Sequence, residues 1–487
     1  MAASMNPSCS TTVALEPDPA LRRIDASVSA PLIALFYGSA IWLVLGSIFG
    51  LLASIKFHGP NFLANCEWLT YGRLYPAATN ALLYGFAIPA GLGVGLWIIA
   101  RVGRISAVQP AVMVLGAKLW HLGVLIGLIQ IFAGNTTGFQ SLEMPKSAAV
   151  LLFLGYSLVA VWTLLTLHAR TVRALTPAQW FLIAALYWFP WIFSTAHLLL
   201  TMFPVRGVTQ SVVAWWFAAN LHIVWLGLVG LAAIFHFIPT LMNRALHSDY
   251  LAYFTFWTII LFGGWCGIPS TAPLPAWMPA LSTIATVLTL VTVLSVVVNV
   301  YRTCGRGCAQ SENPAPGKFI AFGAMAFVVA WLMNVAVALT ELTPFLHFTW
   351  FTFAQSHLNV FGFFSLTMIG AIYYIVPRAT GVAWPCANRI RANYWLAAIG
   401  TVLYAGPLAI GGIVQGVKMS NPETGFGAVS RAYLMPLRIS SIGEILILTA
   451  NVLLLFNLTS VLVRFARQQL RPVETSSTSA TVAEVKS

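Results

Sequence analysis

HFTWFTFAQSHLNVFGFFSLTMIGAIYYIVP, residues 347–377, holds no Asp, Glu, Lys or Arg and is longer than the roughly 20 apolar residues that span a bilayer. It reads as a membrane helix with one ring nitrogen pair, His357, set in its interior. An ionisable group at that depth is costly without a partner and marks a functional site by default. The glutamine two residues earlier, Gln355, raises the question of whether a second histidine belongs there.

The rest of the chain has the same character. Hydrophobic residues make up 59% of the 487 and charged residues 8%, with a mean hydropathy of +0.84. A soluble domain carries about 25% charged residues, so most of this chain lies in lipid. Met1–Ser27 is polar and contains Glu16, Asp18 and Asp25. That pattern lacks the form of a removable signal peptide, and the run from about 31 to 55 is expected to stay as a first membrane helix.

Twelve apolar runs follow one another, at about 31–55, 75–100, 110–133, 147–168, 179–203, 212–239, 248–269, 276–300, 318–340, 346–376, 392–416 and 437–463. The fold expected is an all-α integral membrane protein with twelve transmembrane helices. Its parts are a cytoplasmic segment 1–28, a membrane domain 29–466 and a disordered cytoplasmic tail 467–487. With both termini inside, seventeen Lys and Arg fall on inner segments, among them Arg22, Arg101, Arg170, Arg244, Arg378 and Arg464. Seven fall outside: Lys56, Arg73, Lys146, Arg206, Lys418, Arg431 and Arg438. The net charge of +13 is thereby a positive-inside topology signal, and no nucleic-acid partner is expected. The implied place is the inner (cytoplasmic) membrane, with lipid as the first partner.

Polar residues inside the runs are few. His121, His197, His222 and His357 lie in or near span interiors, and His168 and His236 toward inner ends. Taken singly, a neutral imidazole is more often satisfied by one carbonyl or hydroxyl across a helix interface than used as a ligand. Glu341 and Glu444 suit either a proton path or an interfacial position, and Lys118 suits snorkelling. Cys304 and Cys308 in CGRGC offer two thiols on an inner loop, fewer than a metal site needs. The aromatic clusters WWFAANLHIVW (215–225) and HFTWFTF (347–353) suit interfacial belts and equally the edge of a porphyrin pocket.

YGRLYPAATNALLYGF (71–86), SLEMPKSA (141–148) and the opening stretch together resemble subunit I of the cbb(3)-type branch of heme-copper oxidases. The resemblance extends from about 31 to 467 and implies a twelve-helix bundle of the subunit I kind. It also implies a set of ligands, which can be carried over only position by position. On the second helix the family has a low-spin heme ligand immediately before Thr-Asn, where this chain has Ala78. On the tenth it has His-x-His, where this chain has Gln355-Ser356-His357. The copper histidine of the sixth helix is replaced by Ala219. On the seventh, Gly263 stands for the tyrosine, Trp265 is kept, and 266–276 contains no histidine.

His357 is therefore the one position at which axial ligation of heme b carries over. An amide such as Gln355 is a poor ligand for heme iron. His222, three residues after Ala219 and one turn deeper, is the candidate for a re-sited metal ligand. Copper is not expected, because a site needs about three or four protein ligands. The small residues Ala77, Ala78, Ala81 and Gly85 predict that the second and tenth helices close toward each other, with aromatic rings or lipid filling the remainder.

The leading functional expectation is a cytochrome c oxidase subunit I homologue without its own oxygen-reducing centre. It would act as a structural or assembly subunit beside membrane-anchored c-type cytochrome subunits. The alternatives are a heme b-binding electron-transfer or oxidase subunit with re-sited ligands, and a twelve-helix secondary transporter. Against the last, residues 31–239 and 248–463 show no clear internal repeat.

Overall fold

The computed structural model describes residues 18–305 and 314–470. The tail beyond 470, most of the segment 1–28 and Cys308 lie outside the described residues. Backbone polar groups in lipid must be satisfied within the chain, which leaves apolar runs of this length one form, the helix. Among the described residues the regular structure is all helical.

Among the described residues eleven helices are long and apolar enough to cross a membrane. In chain order they are Ser29–His58, Tyr71–Val102, Pro110–Phe132, Lys146–His168, Pro177–Met202, Val208–Met242, Trp277–Cys304, Ala315–Ala338, Trp350–Thr380, Ala387–Met419 and Phe426–Gln469. Between the sixth and seventh of these lies a shorter apolar helix, Asp249–Gly263. Counting it as the seventh keeps the twelve positions expected from sequence. At 1.5 Å per residue it reaches only about 22 Å, short of a hydrocarbon core of about 30 Å. The expected run 248–269 ends early because Gly263-Gly264 and Pro269 do not continue a helix.

The short seventh helix is held by polar side chains of the eighth. Thr255 and Ser295 share a hydroxyl hydrogen bond of 2.8 Å, and Thr292 donates to Thr258 at 2.8 Å. Asn299 donates to the Ser248 carbonyl at 2.9 Å and accepts from its amide at 3.1 Å, tying down the amino-terminal end.

The second, sixth and tenth helices form the centre of the bundle, with about nine-tenths of their apolar windows buried, against about two-fifths for the others. Each contains a π-helical segment: Ala81–Ala87, Asn220–Trp225 and Leu358–Ser365. The fifth and seventh also have one, at Leu198–Met202 and Ile259–Gly263. Such bulges are rare and favour functional sites. Here three of them begin one to three residues after Ala78, Ala219 and His357.

A helix at Pro19–Ser27 precedes the first span and packs on the bundle, so the folded body includes part of the segment 1–28. Its buried Asp25 accepts from Trp97 Nε1 at 2.9 Å and pairs with Arg101 at 2.5 Å. Asp25 and the carboxyl end of the second span therefore share one face of the bundle. Lys118 points outward, as a snorkelling side chain does.

Candidate functional site

A cavity of about 130 Å³ lies between the first, second, tenth, eleventh and twelfth helices. By the same measure a single water needs roughly 10–15 Å³. Ala78 and His357 both line it, as do Gly46, Tyr404 and Glu444. This corrects the expectation that the second and tenth helices close on each other at that level. They touch through their π segments, deeper along the helices, while the space at Ala78 stays open.

The loop 139–145 explains why. It carries a buried carboxylate, Glu143, whose Oε2 accepts from Asn80 Nδ2 at 2.9 Å. Tyr84 donates to the Ser141 carbonyl at 2.7 Å, and Ser141 Oγ bonds His222 Nε2 at 2.9 Å. The loop is thus fastened to the second and sixth helices and forms part of the cavity wall. Burial pushes the Glu143 carboxyl up from its ordinary 4.5, opposed by the hydrogen bond from Asn80.

His357 reaches the cavity from the tenth helix, and its Nε2 is buried with no hydrogen-bond partner among the described residues. The Tyr404 ring lies over its face, with centroids 3.9 Å apart and planes tilted by 37°. The aromatic filling expected from sequence is therefore present in part. Opposite, Ala78 presents only a methyl group. Glu444, 6% exposed, faces the cavity from the twelfth helix, and a Cβ added at Gly50 would lie 3.4 Å from its Oε1.

The positions named for copper lie apart from this cavity. After the seventh helix the chain turns back at Gly267, whose φ of +104° favours glycine. A Cβ there would overlap the Ala219 Cβ, so backbone occupies the space beside Ala219. Gly263 is packed against the methyls of Ile223 and Val224, each 3.2 Å from an added Cβ. Trp265 points outward. Gln355 is half-buried and does not line the cavity, and His222 does line it, with Nε2 engaged by Ser141. Among the described residues no three His, Cys, Asp or Glu side chains converge.

The other membrane histidines are spread through the bundle. His121 bonds the Ala34 carbonyl at 3.1 Å, His197 lies 3.4 Å from the Thr201 hydroxyl, and His236 sits edge-on to Trp97. His168 and Glu341 are exposed. Sequence reasoning passed over Glu143, Asn80 and Tyr404. Glu143 could have been found as a lone acid in a short loop between two spans; Tyr404 carries no sequence signal of its own.

The arrangement of helices agrees with what comparison with known proteins finds. The family model for the cytochrome c and quinol oxidase polypeptide I matches residues 30–446. The chain belongs to that family, the subunit I family of heme-copper oxidases. It is 23% identical over 389 residues to the cbb3-type cytochrome c oxidase subunit CcoN1 of Stutzerimonas stutzeri, covering 78% of this chain and 82% of that one. It is 22% identical over 457 residues to a cytochrome c oxidase subunit 1 homolog of Azorhizobium caulinodans, covering 88% and 80%. A cytochrome c oxidase subunit 1 of Thermus thermophilus is 24% identical over 394 residues, 71% of this chain and 68% of that one.

Proposed function

We propose that this chain is a structural or assembly subunit of a cbb(3)-type respiratory membrane complex and has no oxygen-reducing centre of its own. The observation that carries this reading is the packing of the Gly267 backbone against Ala219. A ligating histidine at 219 would need that space, and the loop 264–276 offers no imidazole to join it. The donor set there fits neither copper nor a high-spin heme. The reading includes membrane-anchored c-type cytochrome partners, suggested by the oxidase subunits the chain is similar to. It also includes an inner-membrane position with both termini cytoplasmic, suggested by the basic inner segments. Copper and heme analysis of the purified chain, with oxygen uptake, tests it: copper at one per chain with oxygen consumption would refute it.

A second reading, a heme b held through His357, is favoured by one observation: the unpartnered Nε2 at a cavity bounded by Ala78. His357 would offer a heme iron one imidazole there, while His222 on the same wall has its Nε2 engaged by Ser141. Bound heme b would supply one-electron chemistry; His357 would hold it and Tyr404 would fix the imidazole plane. A pyridine hemochrome signal that disappears in His357→Ala tests this reading.

A further inference from the structure

We propose that the cavity between the first, second, tenth, eleventh and twelfth helices binds a lipophilic tertiary amine, which takes the proton of the Glu444 carboxyl and stays as its ion-pair partner. The inference goes beyond the function proposed above and stands whether or not the chain is an assembly subunit.

Glu444 supplies the acid. It is 6% exposed, lines the cavity, and makes neither an ion pair nor a hydrogen bond among the described residues. The other carboxyl on the same walls is already engaged, because Glu143 Oε2 accepts from Asn80. Among the described residues no Lys or Arg lines the cavity, so no side chain there offers Glu444 a positive charge. A lone carboxylate in a membrane interior is costly, and the empty cavity therefore holds Glu444 as the neutral acid. What it lacks is a base small enough to enter.

The walls suit a cation once it forms. Phe57, Tyr75, Trp350, Phe353 and Tyr404 line the cavity. Phe57 meets Trp350 edge-on with ring centroids 4.4 Å apart, and Phe353 lies 4.9 Å from Trp350 and 5.4 Å from Tyr75. The Tyr404 hydroxyl is near enough to Glu444 and Tyr75 to interact with both electrostatically, so rings and carboxyl belong to one space. Aromatic faces attract an alkylammonium, and more strongly where water is excluded. The volume of about 130 Å³ is roughly ten times what a single water needs, which is room for a nitrogen with short alkyl arms.

The chemistry is one proton transfer. The neutral amine arrives from the bilayer, since the surrounding helices are membrane spans. The O–H bond of the Glu444 carboxyl breaks, an N–H bond forms, and the ammonium donates that hydrogen back to the carboxylate. A tertiary ammonium has a single N–H to place, which matches a single unpartnered carboxyl. A primary ammonium carries more N–H groups than that carboxyl alone accounts for.

The probe is tritiated tripropylamine, measured by equilibrium dialysis against the purified full chain in detergent. Saturable binding to a single site is expected. N,N-Dipropylpropanamide, of similar size but without a basic nitrogen, should not displace it. Infrared difference spectra should show a protonated-carboxyl C=O band lost on binding, and no such loss in Glu444→Gln. That variant retains shape and should bind at least about tenfold more weakly, roughly 1.4 kcal/mol. Phe353→Leu, which keeps the carboxyl and removes a ring, should weaken binding about threefold or more. Each variant is checked for the elution volume and unfolding temperature of the parent. Equal displacement by the amide, no loss of the carboxyl band, unchanged affinity in correctly folded Glu444→Gln or Phe353→Leu, or no saturable binding would each overturn the proposal. So would one heme b per chain lost in His357→Ala, since that group would fill the space. Copper and oxygen-uptake measurements read the proposed function separately, so the two ideas fail independently.

Discussion

Glu143 shows how a single loop residue holds open what the helices alone would close. Its carboxyl meets Asn80 from 63 positions away in sequence, a separation that no helical period encodes. Small residues at 77, 78, 81 and 85 were legible as a close-packing stripe. They do bring the second helix against the first: an added Cβ at Gly46 would lie 3.1 Å from the Ala81 methyl and 3.4 Å from the Ala78 carbonyl. Close approach to the tenth helix at Ala78 was read from the same residues and does not occur. Glu143 also makes stability depend on pH. Its folded value is raised by burial, so the folded state holds the proton more tightly than the unfolded chain. The contribution is complete below the ordinary 4.5 and is lost as pH rises through the raised value. Thermal unfolding in detergent should therefore fall over that window in the parent and fall less in Glu143→Gln; equal slopes would contradict the assignment. At Ala219 the expectation runs the other way from a rescue experiment. Ala219→His meets the Gly267 backbone and should destabilise by about 1–3 kcal/mol, as overpacking does, with no gain of bound copper by metal analysis.

At the scale of elements, the apolar runs were legible because lipid forces the backbone to satisfy itself, and twelve runs became eleven long helices and one short one. The exception is instructive. The run at 248–269 is mostly apolar after Ser248-Asp249, yet Gly263-Gly264 and Pro269 stop the helix, and hydropathy does not register backbone breakers. The π segments were not read from the sequence, because the apolar runs containing them look like ordinary helix. The seventh helix should depend on its polar clasp. Asn299→Ala removes two hydrogen bonds to Ser248 and should cost about 1–3 kcal/mol. Hydrogen exchange should then rise across 249–263 ahead of the rest of the bundle. Uniform exchange across the bundle would mean that the clasp is not what holds this helix.

For the whole molecule, Asp25 ties the amino-terminal helix to the bundle by meeting Arg101 at the end of the second span. Asp25→Asn should loosen residues 19–27 by about 1–3 kcal/mol, seen as faster proteolysis there with the spans intact. Family and bundle were legible from three quoted stretches. The identities at 78 and 219, both alanine, are visible without coordinates. Their surroundings were not: the Gly267 backbone packs against Ala219, and Ala78 lines a partly polar cavity. The central claim concerns the first of these. It is tested most directly by quantifying copper and heme in one purified preparation of the full chain while following oxygen uptake. The expected result is copper well below one atom per chain and no oxygen consumption. One copper and two b hemes per chain, with oxygen reduced, would contradict it.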